Sequence, residues 1–174
     1  MFGKIQDVDN HLLSKIALLR SPKLDKIMVF ITNLGSSGGI WLFLGLSLLL
    51  VRGYRRKGAE IFVAVGMATL MSEVVFKNIA RRLRPCEHAT DETMLVSKPT
   101  SYSFPSGHTT SSFAAAYVIS RVFSGHGPGI FVFTFLFAFV IGFSRLYLKV
   151  HYPSDVLAGI FLGIVCGSTV LKMF

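Results

Sequence analysis

Apolar residues in this chain gather into long runs instead of alternating with polar ones, and short segments rich in charge, glycine and proline separate the runs. Ile27 to Val51 contains no charged residue. A second stretch, Lys57 to Leu83, is interrupted only by Glu60, Glu73, Lys77, Arg81 and Arg82. Pro105 to Val122, the Phe-rich Gly129 to Phe143, and Val156 to Phe174 follow. Runs of this length and apolarity predict transmembrane helices. Five are counted: an all-α, polytopic transmembrane bundle of about five to six helices once an amphipathic N-terminal helix is included.

That N-terminal helix is predicted within residues 1–26. Ile5, Val8, Leu12, Leu13, Ile16 and Leu19 recur at helical spacing, with Lys4, Asp7, Asp9, Lys15 and Arg20 between them. The pattern suits a helix resting in the membrane interface. Ser21-Pro22 predicts a break, after which residues 27–174 form the membrane core of a single domain. Asn33 to Gly39 (NLGSSGG) is a cluster of turn residues inside the first apolar run. It admits two readings: one kinked span, or a short interfacial helix followed by a span from about Gly38.

Composition agrees with the pattern. Only 16% of the 174 residues are charged, well below the roughly 25% of a soluble domain. The net charge of +9 would suit nucleic acid on a soluble protein, but here basic residues are expected to anchor span ends. Cys86, in a polar stretch, and Cys166, in an apolar run, fall at different depths, so no disulfide is expected. No cleavable signal peptide is expected, because Met1 to Lys26 is charged throughout. The short loop Arg52 to Lys57 carries four basic residues and is placed in the cytoplasm. Alternation then sets the polar stretches Arg84–Phe104 and Ser144–Asp155 together on the extracytoplasmic side.

Three polar clusters occupy span ends on that side. In the first, Lys77 and Arg84-Pro85 are seven residues apart, two helical turns, so both are expected on one face. Alone, the cluster reads better as cations reaching for the interface. In the second, Pro105-Ser106-Gly107-His108 opens a span, and a helix start with free N–H groups and a glycine suits an approaching phosphate. In the third, Ser144-Arg145 precedes His151 and Asp155. An aspartate four residues on can fix the tautomer of an imidazole and expose its other nitrogen as a nucleophile; it also suits a simple helix cap. Two histidines, an aspartate, a lysine and two arginines at the same ends of three spans default to a functional reading. Their types fit phosphoryl transfer.

Lys-x6-Arg-Pro, then Pro-Ser-Gly-His, then Ser-Arg-x5-His-x3-Asp together resemble the three-part signature of the type 2 phosphatidic acid phosphatase superfamily, complete over residues 77 to 155. The resemblance implies that His151 is a nucleophile that becomes phosphorylated, Asp155 its orienting partner, and His108 the general acid and later base. It implies that Lys77, Arg84 and Arg145 hold the phosphate oxygens, aided by Ser106 and the backbone N–H of Gly107. It further implies an integral membrane lipid phosphatase that needs no metal and no cofactor, and the sequence has no cluster resembling a catalytic metal site. Undecaprenyl diphosphate is the first substrate expectation, because compact extracytoplasmic members of the family commonly recycle that carrier. Phosphatidylglycerol phosphate, phosphatidate and lipid A phosphates are rivals.

Outside the signature, Glu73 lies one turn before Lys77, in the favourable order for a helical ion pair, and is expected either to orient Lys77 or to be a hydrogen-bonded core carboxyl. Arg81, Arg82, Lys98, His88, His11 and His126 are expected at solvated or headgroup-facing positions. A binding or transport protein would not need an oriented nucleophile. A lipid phosphotransferase, passing the group to an acceptor other than water, remains a rival enzyme.

Overall fold

The structure, a computed structural model, describes residues 3–87 and 94–174, so His88 lies outside the described residues. All its regular elements among these are helical: α1 (Gly3–Ala17), α2 (Pro22–Leu34), α3 (Gly39–Leu50), α4 (Arg55–Thr69), α5 (Lys77–Ala80), α6 (Gly107–Val122), α7 (Pro128–Tyr147) and α8 (Pro153–Met173). A π-helical segment, Leu70–Phe76, joins α4 to α5, so that Arg55–Ala80 forms one continuous rod.

Among the described residues, this rod, α7 and α8 are each long and apolar enough to cross a membrane. The cluster of turn residues resolves as a 3-10 turn, Ser36–Gly38, where α2 and α3 meet at a bend of 47°. Together the two pass the same test as a broken or re-entrant segment. Pro105–Val122, counted as a span from sequence, is a shorter element: α6 has 16 residues, roughly 24 Å. Nearly its whole circumference is buried, from Thr109 to Ala116, because it is the central post against which α4, α7 and α8 pack.

Lipid tails are as apolar as leucine, so helices in a bilayer associate by close packing rather than by a hydrophobic gain. The α6–α8 contact follows that rule. Gly159, Gly163 and Gly167 lie four residues apart on one face of α8 and meet the α6 backbone at Ser106, Thr110 and Ala114 respectively. A Cβ at Gly163 would stand 2.5 Å from the Thr110 carbonyl oxygen. The other side of α6 presents Ala115, Val118 and Ile119 to a core with Trp41, Ile61, Val65 and Ile141. Trp41 also donates its indole N–H to Ser112 Oγ at 3.0 Å.

Three sequence expectations change. The rod stops at Ala80 rather than Leu83: Arg81 takes a left-handed conformation (φ 47°), and Pro85 disfavours helix at Arg84. Helix α7 extends beyond Phe143 to Tyr147, so Arg145 belongs to its last turn and not to a loop. Arg82, expected to be solvated, is buried between two carboxylates, Asp9 at 2.6 Å and Asp155 at 2.7 Å. Helix α1 accordingly turns Asp9 and Leu13 inward and leaves Ile5, Val8 and Leu12 on its outer face. Arg81, His11 and His126 are exposed, and Lys98 donates to the Glu87 carbonyl at 2.5 Å. Cys86 and Cys166 are both free and buried.

Gly163→Ala should separate α6 from α8 and lower thermal stability in detergent by about 1–3 kcal/mol, the usual cost of overpacking. At Gly66 an added Cβ meets nothing within 4 Å, so Gly66→Ala should leave the melting temperature unchanged or raised. Equal melting temperatures for parent and Gly163→Ala would refute the close-packing account.

Candidate active site

The three clusters converge. Lys77, Arg84, Gly107, His108, Arg145 and His151 all line one cavity of about 370 Å³, together with Glu73 and the Ser36–Gly38 turn. The end that carries Arg52–Lys57 is elsewhere: Lys57 sits over the ring of Phe123, at the far end of α6. The cavity therefore opens at the opposite end of the bundle.

His151 lies in the connection between α7 and α8, fully buried. Its backbone N–H and that of Val150 both donate to the Arg145 carbonyl, at 3.3 and 3.1 Å, and Lys149 closes the turn with φ 55°. The ring is held between unlike partners. Nε2 is 3.1 Å from Arg84 Nη1, an obligate donor, while Nδ1 is 3.5 Å from Asp155 Oδ2. The proton therefore belongs on Nδ1 and the lone pair on Nε2, pointing toward the cations. The Nδ1 separation is longer than a formed hydrogen bond, and such contacts often tighten only when substrate is bound. Burial is the largest cause of a His151 pKa held down to about 3; Asp155 opposes it, and Arg84 and Arg145 add to it. The ring is thus neutral at pH 7.

Asp155 does not line the cavity. It stands behind His151 in the first turn of α8, where Oδ2 accepts from the Tyr152 N–H at 2.8 Å and from the Ser103 hydroxyl. The side chain that caps α8 is also the one that faces His151 Nδ1. Ser106 also stays out of the cavity: its N–H donates to the Asp155 carbonyl at 3.1 Å and its hydroxyl accepts from Thr109 at 2.9 Å. The phosphate contact expected from the Ser106 side chain has no geometric support here.

Lys77 and Arg84 do approach the same space, but not along one helix face, since the chain leaves the helix between them. Arg84 is drawn back by the Pro99–Ser103 segment and by Val150: Nε donates to the Ser101 carbonyl at 2.7 Å, Nη1 to the Val150 carbonyl at 2.8 Å, and Nη2 to the Tyr102 carbonyl at 3.1 Å. Lys77, only 3% exposed, reaches Ser101 Oγ at 3.0 Å and both oxygens of Glu73, at 2.6 and 2.7 Å. The Glu73 carboxylate also rests against Gly107, where any Cβ would collide with it. Arg145 donates through Nη1 to Thr32, and its Nε finds no acceptor among the described residues.

His108 opens α6, and its Nε2 is 3.5 Å from Ser36 Oγ. Its ring rests on the α2–α3 bend, where Gly35 has no room for a side chain between Ile141 and His108. Sequence reasoning missed Thr32, Ser36, Ser101, Ser103 and Arg82. Only Arg82 carried a signal, as a charge inside the Lys77–Arg84 cluster. No group of three or more metal-ligating side chains occurs among the described residues.

Bundle and cavity together define a membrane-embedded phosphatase with a cationic site at one end of the helices. The chain belongs to the PAP2 superfamily, whose model matches residues 57–174. It is 31% identical to phosphatidylglycerophosphatase B of Bacillus subtilis (strain 168) over 176 residues, covering 92% of this chain and 80% of that protein. Undecaprenyl-diphosphatase of Sulfolobus acidocaldarius is 30% identical over 142 residues, or 80% of this chain and 66% of that one. Among solved structures, a transmembrane PAP2-type phosphatidylglycerolphosphate phosphatase from Bacillus subtilis superposes with a TM-score of 0.80 at 28% identity, covering 98% of this chain and 86% of that chain. This chain is an enzyme of the same kind, a PAP2-type lipid phosphatase.

A free histidine titrates near pH 6.5 and is almost wholly protonated at pH 5. His151 should remain the neutral Nδ1–H tautomer there, as read from ¹⁵N chemical shifts of histidine-labelled protein with His151→Ala for assignment. Because the unfolded chain binds the proton first, this group's contribution to stability is present above its ordinary pKa and is lost as pH falls toward 3. A doubly protonated ring at pH 5 would contradict the assigned environment.

Proposed function

We propose that this enzyme hydrolyses the terminal phosphate of a membrane lipid phosphate or diphosphate through a phospho-histidine formed on His151, without a metal ion. The observation that carries the reading is the polarised His151 ring: Arg84 faces Nε2 at 3.1 Å, Asp155 stands behind Nδ1, and the cavity lies in front.

The chemistry follows from those groups. Nε2 attacks phosphorus while the bond to the leaving oxygen breaks, and His108 gives that oxygen its proton. Water then attacks the phospho-histidine, His108 takes the water's proton, and phosphate leaves with His151 restored. Lys77, Arg84, Arg145 and the Gly107 N–H neutralise charge on the equatorial oxygens. Donors fixed before the reaction do this without reorganising, which is why such stabilisation is large. Glu73 orients Lys77 through its bidentate contact, and a bound phosphate displaces that carboxylate from the start of α6.

Undecaprenyl diphosphate is the first substrate choice, supported by the compact chain and by one relative named as an undecaprenyl-diphosphatase. Phosphatidylglycerol phosphate, supported by another relative, and phosphatidate or lipid A phosphates are the alternatives. The active site faces the extracytoplasmic side, a placement supported by the basic Arg52–Lys57 loop at the other end of the bundle.

Purified enzyme in detergent, given each of these lipids with divalent cations chelated, should release inorganic phosphate, fastest from undecaprenyl diphosphate. His151→Ala should lose at least about 10³-fold in kcat, as removal of a covalent nucleophile does. Phosphate release by His151→Ala at the parent rate would end the phospho-histidine reading; dependence on an added acceptor would make the enzyme a phosphotransferase. Glu73→Gln should raise KM several-fold. Unchanged turnover and KM in that variant would remove the orienting role.

A further inference from the structure

Arg82 lies outside the three-part signature, yet its side chain makes four hydrogen bonds directly behind the site. Its position is fixed by the break after Ala80, which turns the chain across the N-terminus of α8. Nη1 donates to Asp155 Oδ1 at 2.7 Å and to Ser154 Oγ at 2.7 Å. Nη2 donates to Asp9 Oδ2 at 2.6 Å and to Gln6 Oε1 at 2.8 Å. The guanidinium also stacks on the Tyr152 ring, 4.0 Å from its centroid. Arg82, Asp9 and Asp155 are 5%, 2% and 0% exposed, so all three charges are withheld from water.

Asp9 contributes from the opposite side. Its Oδ1 accepts the Ser154 backbone N–H at 2.9 Å, one of the unpaired donors at the start of α8, and its Oδ2 accepts the Ser154 hydroxyl at 2.5 Å. The inward face of α1 therefore caps the helix on which Asp155 sits. Its outward face is apolar, with Ile5, Val8 and Leu12 exposed.

Resting on the reading of His151 as nucleophile, we propose that Arg82 is a positioning residue, and that α1 works through it, via Asp9, to hold the Asp155 carboxylate in line with Nδ1 of His151. Arg82 does not line the cavity that Lys77, Arg84 and Arg145 share. It sets one oxygen of Asp155, while the other, held by the Tyr152 N–H and the Ser103 hydroxyl, faces the imidazole. A planar fork that grips two carboxylates along different edges resists rotation of either, and an ammonium does not. The N-terminal helix is thus part of the catalytic scaffold and not only a membrane anchor.

Positioning and phosphate binding separate experimentally. In parent enzyme, Arg82→Gln, Arg82→Lys and Asp9→Asn, we would measure kcat, KM, and competitive inhibition by inorganic phosphate and by vanadate. Phosphate reports the cations alone, whereas vanadate, as a five-coordinate mimic, also needs the aligned imidazole. Arg82→Gln should lose about 10²-fold in kcat, the scale of a small misplacement of a reacting group. Arg82→Lys and Asp9→Asn should each lose about tenfold, because each keeps only part of the fork's contacts. In all three, KM and the phosphate inhibition constant should stay within about twofold of the parent, while the vanadate constant rises at least about tenfold.

Parent-like kcat in Arg82→Gln would overturn the proposal. So would a parallel rise in both inhibition constants, which would mark general collapse of the site. If Arg82→Gln does not fold, Arg82→Lys and Asp9→Asn decide the matter, and parent-like vanadate inhibition in both is the refuting result. A parent enzyme indifferent to His151→Ala would instead overturn the underlying mechanism.

Discussion

Three cations are buried around one cavity, and most of what surrounds them can be understood as a solution to that constraint. Lys77, Arg84 and Arg145 are each at most 6% exposed. Withdrawing a charge from water costs several kcal/mol unless other groups replace its hydration. The replacements here are mostly neutral oxygens. Arg84 takes the carbonyls of Val150, Ser101 and Tyr102, Lys77 takes the Ser101 hydroxyl, and Arg145 takes Thr32. Among the described residues, only Glu73 meets the cradle with a negative charge. Carbonyls and hydroxyls lower the cost of burial without cancelling the field, so an anion of higher charge still gains by entering. A set of carboxylate partners would have made the same cations easier to bury and useless for holding phosphate.

The opposite strategy governs the layer behind His151. There Arg82 is matched by Asp9 and Asp155, and its field is largely spent within the triad. One arginine of the Arg82–Arg84 pair is thus matched by carboxylates and the other faces the cavity, although they are two residues apart in sequence. Their side chains diverge because the chain is no longer helical there, and the Ser103 N–H pins that segment by donating to the Arg82 carbonyl at 2.8 Å.

Much of this was legible in the sequence. The apolar runs gave the helices, because a bilayer demands length and apolarity that are visible residue by residue. The clusters gave six residues that line one cavity, Lys77, Arg84, Gly107, His108, Arg145 and His151, because the span ends narrow where polar side chains can gather. What stayed hidden depends on contacts between distant segments. Ser103 reaches Asp155 across 52 positions and Thr32 reaches Arg145 across 113, and a lone serine or threonine has no pattern to mark it. Asp9 did leave a trace, since it stands one turn before Leu13 and two before Ile16, where an apolar residue would continue the row. A charge within such a row belongs either in a paired interior or in a misjudged face. Helix ends were the least legible feature: α7 carries Ser144 and Arg145 in its final turn because buried cations at a helix C-terminus are compatible with its dipole.

The glycine row on α8 joins the fold to the chemistry. Its first member, Gly159, lies against the Ser106 carbonyl, one turn from Asp155, and the Ser106 N–H donates to the Asp155 carbonyl. Close approach of α6 and α8 therefore begins at the site itself and continues down the bundle. Two helix starts are pressed together there, one bearing His108 and the other backing His151, with separation set by backbone contact rather than by adjustable side chains. The His108 and His151 rings thus keep a fixed spacing whatever lipid tail lies outside. Substrate choice must then be made where the walls are formed by less constrained elements, the α2–α3 bend and the Val96–Ser101 segment, which also line the cavity. A superfamily that holds its chemistry constant while its members act on different lipids would be expected to divide the labour in that way.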